Sequence, residues 1–131
     1  MLLVDSSIWI SYFGLQSSPI AEKLEALIYP INQVWITGII FQEVLQGIRN
    51  KKSYDLTQKI LGKFPFLLPS YETHQKAAEL FQTMSSRGKT PSTIDVLIAS
   101  IAIENKAGLF TLDEGFKRIA RHSSLKLYEL S

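Results

Sequence analysis

The chain has 131 residues, of which 46% are hydrophobic, and this is enough for one domain with a packed core. It contains no cysteine, which excludes a disulfide scaffold, a thiolate metal site and a cysteine nucleophile. Its apolar stretches are shorter than the ~20 residues of a membrane-spanning helix, and its N-terminus lacks a signal-peptide pattern. We therefore expect a single cytoplasmic domain over residues 1–131, with no membrane partner.

The net charge is only +2, but the charges are unevenly distributed along the chain. Residues 1–48 carry one Lys and four acids, whereas residues 49–89 carry eight Lys or Arg and three acids. A basic middle segment is compatible with a polyanionic partner. It is equally compatible with the solvated faces of amphipathic helices, so the charge pattern alone decides nothing.

Short apolar runs alternate with helical patterns along the chain. Pro19 lies in the first turn of one predicted helix, and Gly88 is placed to end another. In chain order the predicted elements are a strand at 2–5, helices at 6–13 and 17–29, a strand at 34–37, helices at 38–49 and 55–64, a short apolar segment or strand at 65–69, helices at 72–88 and 90–108, a strand at 109–112, a helix at 113–122 and a strand at 125–130. This alternation predicts an α/β fold, a three-layer α/β/α sandwich with a short, mostly parallel sheet.

Two aspartates come directly after predicted strands. Asp5 follows the apolar run MLLV, Asp113 follows LFTL, and each precedes a predicted helix. Each could simply cap its helix, which is a common use of Asp. Ligands of parallel sheets, however, bind outside the carboxyl ends of the strands, where the strand order reverses. We therefore predict that Asp5 and Asp113 lie at the same edge of the sheet.

Two further acids interrupt apolar helix faces. Glu43 falls on the boundary of the apolar arc of its predicted helix, where the alternative is an edge residue that reaches solvent. Asp95 lies in the first turn of a helix that is apolar nearly all round. It could also complete a capping box with Ser92 or Thr93. Both positions favour carboxylates that are directed towards a site.

Four carboxylates that converge in a poorly solvated pocket repel one another unless a cation compensates their charge. Oxygen ligands without cysteine select hard cations such as Mg²⁺ or Mn²⁺. One or two such ions can activate a water and stabilise the leaving oxygen in phosphodiester hydrolysis. Convergence of the four acids therefore predicts a metal-dependent phosphodiesterase.

The sequence around these acids resembles the PIN-domain ribonucleases, and among them the VapC toxins of prokaryotic toxin–antitoxin pairs. The resemblance spans essentially the whole chain. It is carried by VDSSIWI with Asp5, ITGIIFQEVLQGIR with Glu43 and Gly47, and STIDVLIASIAIENKAGLFTLDEGF with Asp95 and Asp113. It implies a PIN-like fold and an Mg²⁺- or Mn²⁺-dependent endoribonuclease that forms homodimers and is inhibited by a small DNA-binding antitoxin.

The resemblance also implies roles for individual side chains. The four acids would be both catalytic residues and metal ligands. Ser6 would lie beside Asp5, either as a further ligand or as a hydrogen-bonding neighbour. Thr111 would hydrogen-bond a carboxylate or a metal-bound water. The alternatives are a simple helix cap for Ser6 and an ordinary strand hydroxyl for Thr111.

Five basic residues lie near the ends of the segments that carry Glu43 and Asp95. They are Arg49, Lys51, Lys52, Arg87 and Lys89. Together they predict contacts with RNA phosphates and therefore salt-sensitive RNA binding. For any one of them, a solvated helix end is the simpler explanation.

Two other classes of function are compatible with the predicted fold. A non-catalytic RNA- or protein-binding module would keep the fold without turnover. A phosphatase or phospho-acceptor domain is disfavoured because the segment after the first strand, Asp5-Ser6-Ser7, lacks a D-x-D pair. Neither G-x-x-x-x-G-K-[ST] nor G-x-G-x-x-G occurs, so nucleotide-binding loops are unsupported. The metal-dependent endoribonuclease is the leading interpretation.

Overall fold

The computed structural model describes residues 1–14 and 18–129. In this part of the chain the elements are β1 Leu2–Val4, α1 Ser6–Tyr12, α2 Pro19–Ile28, β2 Val34–Thr37, α3 Gly38–Gln46, α4 Lys51–Leu61, β3 Phe66–Leu67, α5 Tyr71–Ser86, α6 Thr93–Glu104, β4 Gly108–Phe110 and α7 Gly115–Arg121. Ser17, which begins a predicted helix, and Leu130, which ends the last predicted strand, lie outside the described residues. No helix in the described residues has the length and apolar character needed to span a membrane.

The four strands form one parallel sheet in the order β3-β2-β1-β4. β1 lies in the interior of the sheet, where Leu2 pairs with Val34 of β2 and Val4 pairs with Phe110 of β4. The chain builds the β2–β3 side first and then crosses to the other side of β1, so the strand order reverses between β1 and β4. Their carboxyl ends therefore form the edge at which α/β proteins bind ligands.

Helices pack on both faces of the sheet and complete the predicted three-layer α/β/α sandwich. Helices α1 to α4 contact one another in one group, and α5 to α7 form a second group in which α6 also contacts β4. Trp9 is fully buried, and its Nε1 donates a 3.1 Å hydrogen bond to the Val4 carbonyl oxygen. This bond holds α1 directly at the end of β1. The apolar character of α6 is explained by its burial along most of its length.

Several element boundaries differ from the prediction. α4 begins four residues earlier because the Asn50 side chain accepts a hydrogen bond from Ser53 N and caps the helix. α6 ends at Glu104, and Gly108 belongs to β4 rather than to the end of that helix. A Cβ at Gly108 would lie only 2.9 Å from Leu2 Cδ2, so this glycine allows β4 to approach β1 closely.

The predicted last strand is reduced to a single parallel bridge between Leu127 and Leu109. Leu109 N donates to the Lys126 carbonyl oxygen at 2.9 Å, and Tyr128 N donates to the Leu109 carbonyl oxygen at 2.8 Å. The segment thus runs beside the outer edge of β4 up to residue 129. β4 itself ends at Phe110, so the residues after it form a loop at the ligand-binding edge.

Candidate active site

Asp5 is a buried carboxylate at the end of β1, with only 4% of its surface exposed. It occupies the N-cap position of α1, but its side chain makes no capping hydrogen bond, which rules out the simple cap. Its Oδ2 instead accepts hydrogen bonds from Ser7 Oγ at 2.9 Å and from Thr111 Oγ1 at 2.7 Å. Oδ1 accepts none from the described residues, so hydrogen bonds hold one oxygen of the carboxylate and not the other.

The loop after β4 is fastened to α1 through the same two hydroxyl groups. Leu112 N donates to Ser7 Oγ and Asp113 N donates to Thr111 Oγ1, each at 3.0 Å. Because both hydroxyls accept a backbone N–H, their own protons are directed towards Asp5. Thr111 therefore contacts a carboxylate, as the resemblance implied.

The two serines after Asp5 serve two different acids. Ser7, which the sequence analysis did not select, contacts Asp5. Ser6, which was expected there, lies near Glu43 and lowers the pKa of that carboxyl through its hydroxyl. Neighbouring helical residues point about 100° apart, so the two serines cannot face the same acid. The sequence contained both hydroxyls but did not indicate which carboxylate each would contact.

The raised pKa values of Glu43 and Asp95 place the predicted acids near one another. Burial raises the pKa of Glu43 on α3, and the charges of Asp5, Asp95 and Asp113 raise it further. Burial also raises the pKa of Asp95 on α6, followed by the charges of Asp113 and Asp5, while a hydrogen bond from Ser92 lowers it. The structure thus brings together an acid just after β1, one on α3, one on α6 and one in the loop after β4.

Asp95 and Asp113 meet beside Gly115, at the start of α7. A Cβ at position 115 would lie 3.2 Å from Asp113 Oδ1 and 3.5 Å from Asp95 Oδ2. Gly115 N also donates a 2.9 Å hydrogen bond to Asp113 Oδ1. This glycine leaves the space that the two carboxylates occupy. Gly115 was not among the predicted site residues, although the pattern Asp-x-Gly after the predicted strand was a signal that could have found it.

Ser92 confirms part of the capping prediction for α6. Its hydroxyl accepts a 3.0 Å hydrogen bond from Asp95 N and caps the helix. Ser70 and Thr73 form a reciprocal capping box at the start of α5, whereas at the start of α6 the Ser92 hydroxyl accepts Asp95 N and also lowers the pKa of the Asp95 carboxyl. The Asp95 carboxylate is therefore available to the acidic cluster while its backbone N–H is satisfied by the cap.

The chemistry of this cluster fits a hard divalent cation, because all its donors are carboxylate oxygens and their mutual repulsion is what a cation relieves. Within residues 1–14 and 18–129, however, no group of three or more His, Asp or Glu side chains is already arranged to hold a metal ion. The cluster therefore matches Mg²⁺ or Mn²⁺ in donor type and charge, without forming a closed coordination shell.

The five basic residues predicted to bind RNA are exposed, and none of them contributes to the pKa shifts in the acidic cluster. Arg49 lies in the loop between α3 and α4. Lys51 Nζ pairs with Asp55 Oδ1 at 2.9 Å, and Arg87 Nη1 lies 3.3 Å from His122 Nδ1. These contacts tie two of the five to other side chains, and their part in RNA binding stays a prediction.

Comparison with known proteins gives sequence relatives along nearly the whole chain. Ribonuclease VapC11 of Mycobacterium tuberculosis is 26% identical over 129 residues, which cover 96% of this chain and 96% of the relative. A VapC ribonuclease of Mycobacterium bovis matches with the same identity and coverage. The similarity therefore extends over all the elements that contribute acids to the cluster.

Solved structures show the same fold. VapBC2 from Rickettsia felis, bound to a promoter DNA fragment, contains a chain that aligns with a TM-score of 0.81 and 24% identity, covering 99% of this chain and 98% of that one. A chain of VapBC-1 from nontypeable Haemophilus influenzae aligns with a TM-score of 0.78 and 21% identity, over 98% and 96% of the two chains. The PIN domain family model matches residues 2–122. The chain therefore belongs to the PIN domain family.

Proposed function

We propose that this protein is a metal-dependent endoribonuclease that acts as the toxin of a toxin–antitoxin pair. The observation that carries the proposal is the cluster of Asp5, Glu43, Asp95 and Asp113 at the carboxyl edge of a parallel sheet, in a chain of the PIN domain family. Relatives that are named VapC ribonucleases support RNA as the substrate.

The four acids would hold Mg²⁺ or Mn²⁺, as one or two ions. A bound ion supplies an activated water and stabilises the leaving oxygen in phosphodiester hydrolysis. Asp5 presents its carboxylate in a fixed orientation because Ser7 and Thr111 both hold Oδ2. Glu43 and Asp95 retain their protons to a higher pH than ordinary carboxyl groups. Cations compete with those protons, so metal binding should strengthen as the pH rises.

Cleavage of an end-labelled single-stranded RNA by the purified protein tests this proposal. We expect cleavage with Mg²⁺ or Mn²⁺ and none with EDTA. Asp5→Asn should lose at least the roughly 10–100-fold in activity that removal of a residue supporting a metal ligand costs. The matched control is Glu79→Gln, which makes the equivalent chemical change at an exposed carboxylate on α5. Equal activities of wild-type protein and Asp5→Asn would refute the assignment of Asp5.

A non-catalytic RNA- or protein-binding module is the second candidate. It is favoured by one observation, that the described residues contain no preassembled group of three metal ligands. Calorimetric titration with Mn²⁺ separates the two candidates. Binding that disappears in Asp95→Asn supports the nuclease, whereas the absence of both Mn²⁺ binding and RNA cleavage in the wild-type protein supports the module.

We also propose a homodimer in the cytoplasm and a small DNA-binding antitoxin as the partner. The antitoxin is supported by similar solved structures, among them a toxin–antitoxin complex from Klebsiella pneumoniae with a TM-score of 0.73 and 23% identity. Light scattering after size exclusion should give twice the mass of one chain. Co-expression with a small neighbouring reading frame should give a complex that lacks RNA cleavage. A monomer or a fully active complex would contradict the corresponding part of this proposal.

A further inference from the structure

A groove of about 360 Å³ opens at the end of β4, next to the acidic cluster. One side is formed by the loop from Thr111 to Asp113, and the other by residues 127–129. Its volume falls within the ~300–1,000 Å³ typical of sites that take small molecules or parts of larger ligands. Because the groove shares Thr111 and Asp113 with the cluster, a ligand in it would adjoin the site of the proposed reaction.

The walls of this groove combine aromatic and aliphatic side chains with charged ones, and the apolar part comes from Phe110, Leu112, Leu127 and Tyr128. Leu112 is 45% exposed, although its backbone is fixed by the bond from its N–H to Ser7 Oγ. Tyr128 packs edge-on against Phe110, with ring centroids 5.1 Å apart, and Lys23 Nζ lies 5.7 Å from the Tyr128 ring centroid. A fixed aromatic ring and an exposed aliphatic side chain are the kind of surface on which unstacked nucleobases bind.

The charges around the groove favour a neutral occupant. Three acids line it, namely Asp113, Glu114 and Glu129. Lys117 also lines it, but Lys117 Nζ pairs with Glu114 Oε2 at 3.0 Å. With Asp113 assigned to the metal site, Glu129 is the lining acid without an ion pair among the described residues, and its charge disfavours a phosphate but not a base. Carboxylates such as that of Glu129 can also accept hydrogen bonds from the amino groups of bases.

We propose that this groove binds one base of the RNA substrate, from the nucleotide next to the phosphate that is cleaved. Tyr128 and Leu112 supply the contact surface. The inference rests on the proposed ribonuclease function and adds to it a subsite that influences where the RNA is cut. Tyr128 lies on one side of the groove, and Leu112 lies in the loop that also carries Thr111 and Asp113. A base that contacts Leu112 therefore touches the same loop that contributes the fourth acid.

The test uses RNA oligonucleotides that carry a single abasic nucleotide at each position near the cleavage site in turn. For the wild-type protein we expect one abasic position to lower kcat/KM about 5- to 150-fold, which corresponds to the ~1–3 kcal/mol typical of one stacked base. Tyr128→Leu should lower kcat/KM on intact RNA to a similar extent and should no longer respond to that abasic position. Tyr128→Phe keeps the ring and should behave like the wild-type protein.

Matched controls exclude a general effect of losing an aromatic side chain or of misfolding. Tyr71→Leu makes the same change as Tyr128→Leu at an 81% exposed tyrosine on α5 and should leave the response to abasic RNA unchanged. If Tyr128→Leu fails to fold, Leu112→Ala serves instead. The Leu112 side chain is partly exposed to solvent, so its truncation should have little effect on folding. The inference is overturned if these groove variants respond to every abasic position as the wild-type protein does.

A binding measurement separates failure of this inference from failure of the proposed function. If the wild-type protein cleaves none of the oligonucleotides, the ribonuclease proposal fails. Fluorescence anisotropy with the same labelled oligonucleotides then tests the groove directly. Weaker binding of one abasic RNA by wild-type protein, but not by Tyr128→Leu, would support the subsite. Equal affinity for intact and abasic RNA would overturn it.

Discussion

The Thr111 hydroxyl donates a 2.7 Å hydrogen bond to Asp5 Oδ2 and joins two residues that are 106 positions apart in the chain. The contact is possible because β1 and β4 are adjacent parallel strands that end at the same edge. The same Thr111 oxygen accepts the backbone N–H of Asp113. The orientation of the most buried acid therefore depends on the segment that also supplies the fourth acid.

Thr111→Val keeps the shape of the side chain and removes both the hydrogen bond to Asp5 and the one from Asp113 N. We expect the free energy of unfolding to fall by about 1.5 kcal/mol, the low end for hydrogen bonds to charged groups, because Thr111 is only half-buried. RNA cleavage should fall roughly 10- to 100-fold, as Asp5 loses its fixed orientation. Urea denaturation and single-turnover rates measure the two effects. Thr111→Ser retains the donor and should stay near the wild-type values; full activity in Thr111→Val would contradict the role of the hydroxyl.

Gly115→Ala adds a methyl group at the point where the Asp95 and Asp113 carboxylates both lie against the backbone. The Cβ would lie 3.2 Å from Asp113 Oδ1, so that carboxylate must shift. We expect cleavage to fall about 10- to 100-fold, as is typical when a reactive group is misplaced, with little change in thermal stability. Gly38→Ala is the matched control because no atom lies within 4 Å of its Cβ position. Equal activities of the two variants would show that the close approach has no effect on the site.

The acidic cluster should make the metal-free protein less stable as the pH rises. Glu43 and Asp95 have pKa values raised above their ordinary 4.5 and 3.8, so the folded state favours their protonated forms. The stability that results is fully present below the pKa values of the unfolded chain and is lost as the pH rises through the higher values of the folded chain.

Asp95→Asn tests this dependence because it removes one of the repelling charges. In EDTA at pH 7 its melting temperature should exceed that of the wild-type protein, and the difference should shrink towards pH 4. Saturating Mn²⁺ should stabilise the wild-type protein more than the variant, because a ligand that binds only the folded state raises its stability. Differential scanning fluorimetry across this pH range measures both effects. A variant that melts below the wild-type protein in EDTA at pH 7 would contradict the prediction.

The exposed basic residues should act on RNA affinity rather than on chemistry. Removing a phosphate contact reduces the slope of log affinity against log salt by about one per charge. We expect Lys89→Ala and Arg49→Ala to weaken RNA binding with such a change in slope. Lys106→Ala is the control, because the exposed Lys106 lies between α6 and the amino end of β4, at the edge of the sheet opposite the acidic cluster. If all three variants show the wild-type salt dependence, Arg49 and Lys89 do not contact phosphates.

Local sequence patterns were sufficient to predict most of the helices and strands, because apolar periodicity and capping residues act over a few neighbouring positions. The same patterns identified Glu43 and Asp95 as acids on otherwise apolar faces, and both are half-buried. Predictions of boundaries failed where a distant neighbour matters. Gly108 was predicted to end a helix, but it lies in β4, where it packs closely against Leu2. The predicted last strand forms only one bridge to β4.

Residue types and their spacing along the chain were enough to predict the α/β class, the family and the four acids, because each of these depends on short local patterns. The folded structure was needed to show that Ser7 rather than Ser6 contacts Asp5, that Gly115 leaves space for two carboxylates, and that Leu112 and Tyr128 line a groove. Each of these arrangements involves segments that are far apart in sequence and that come together around the parallel pair of β1 and β4. The direction in which such a side chain points depends on packing between distant segments, which its sequence neighbours do not specify.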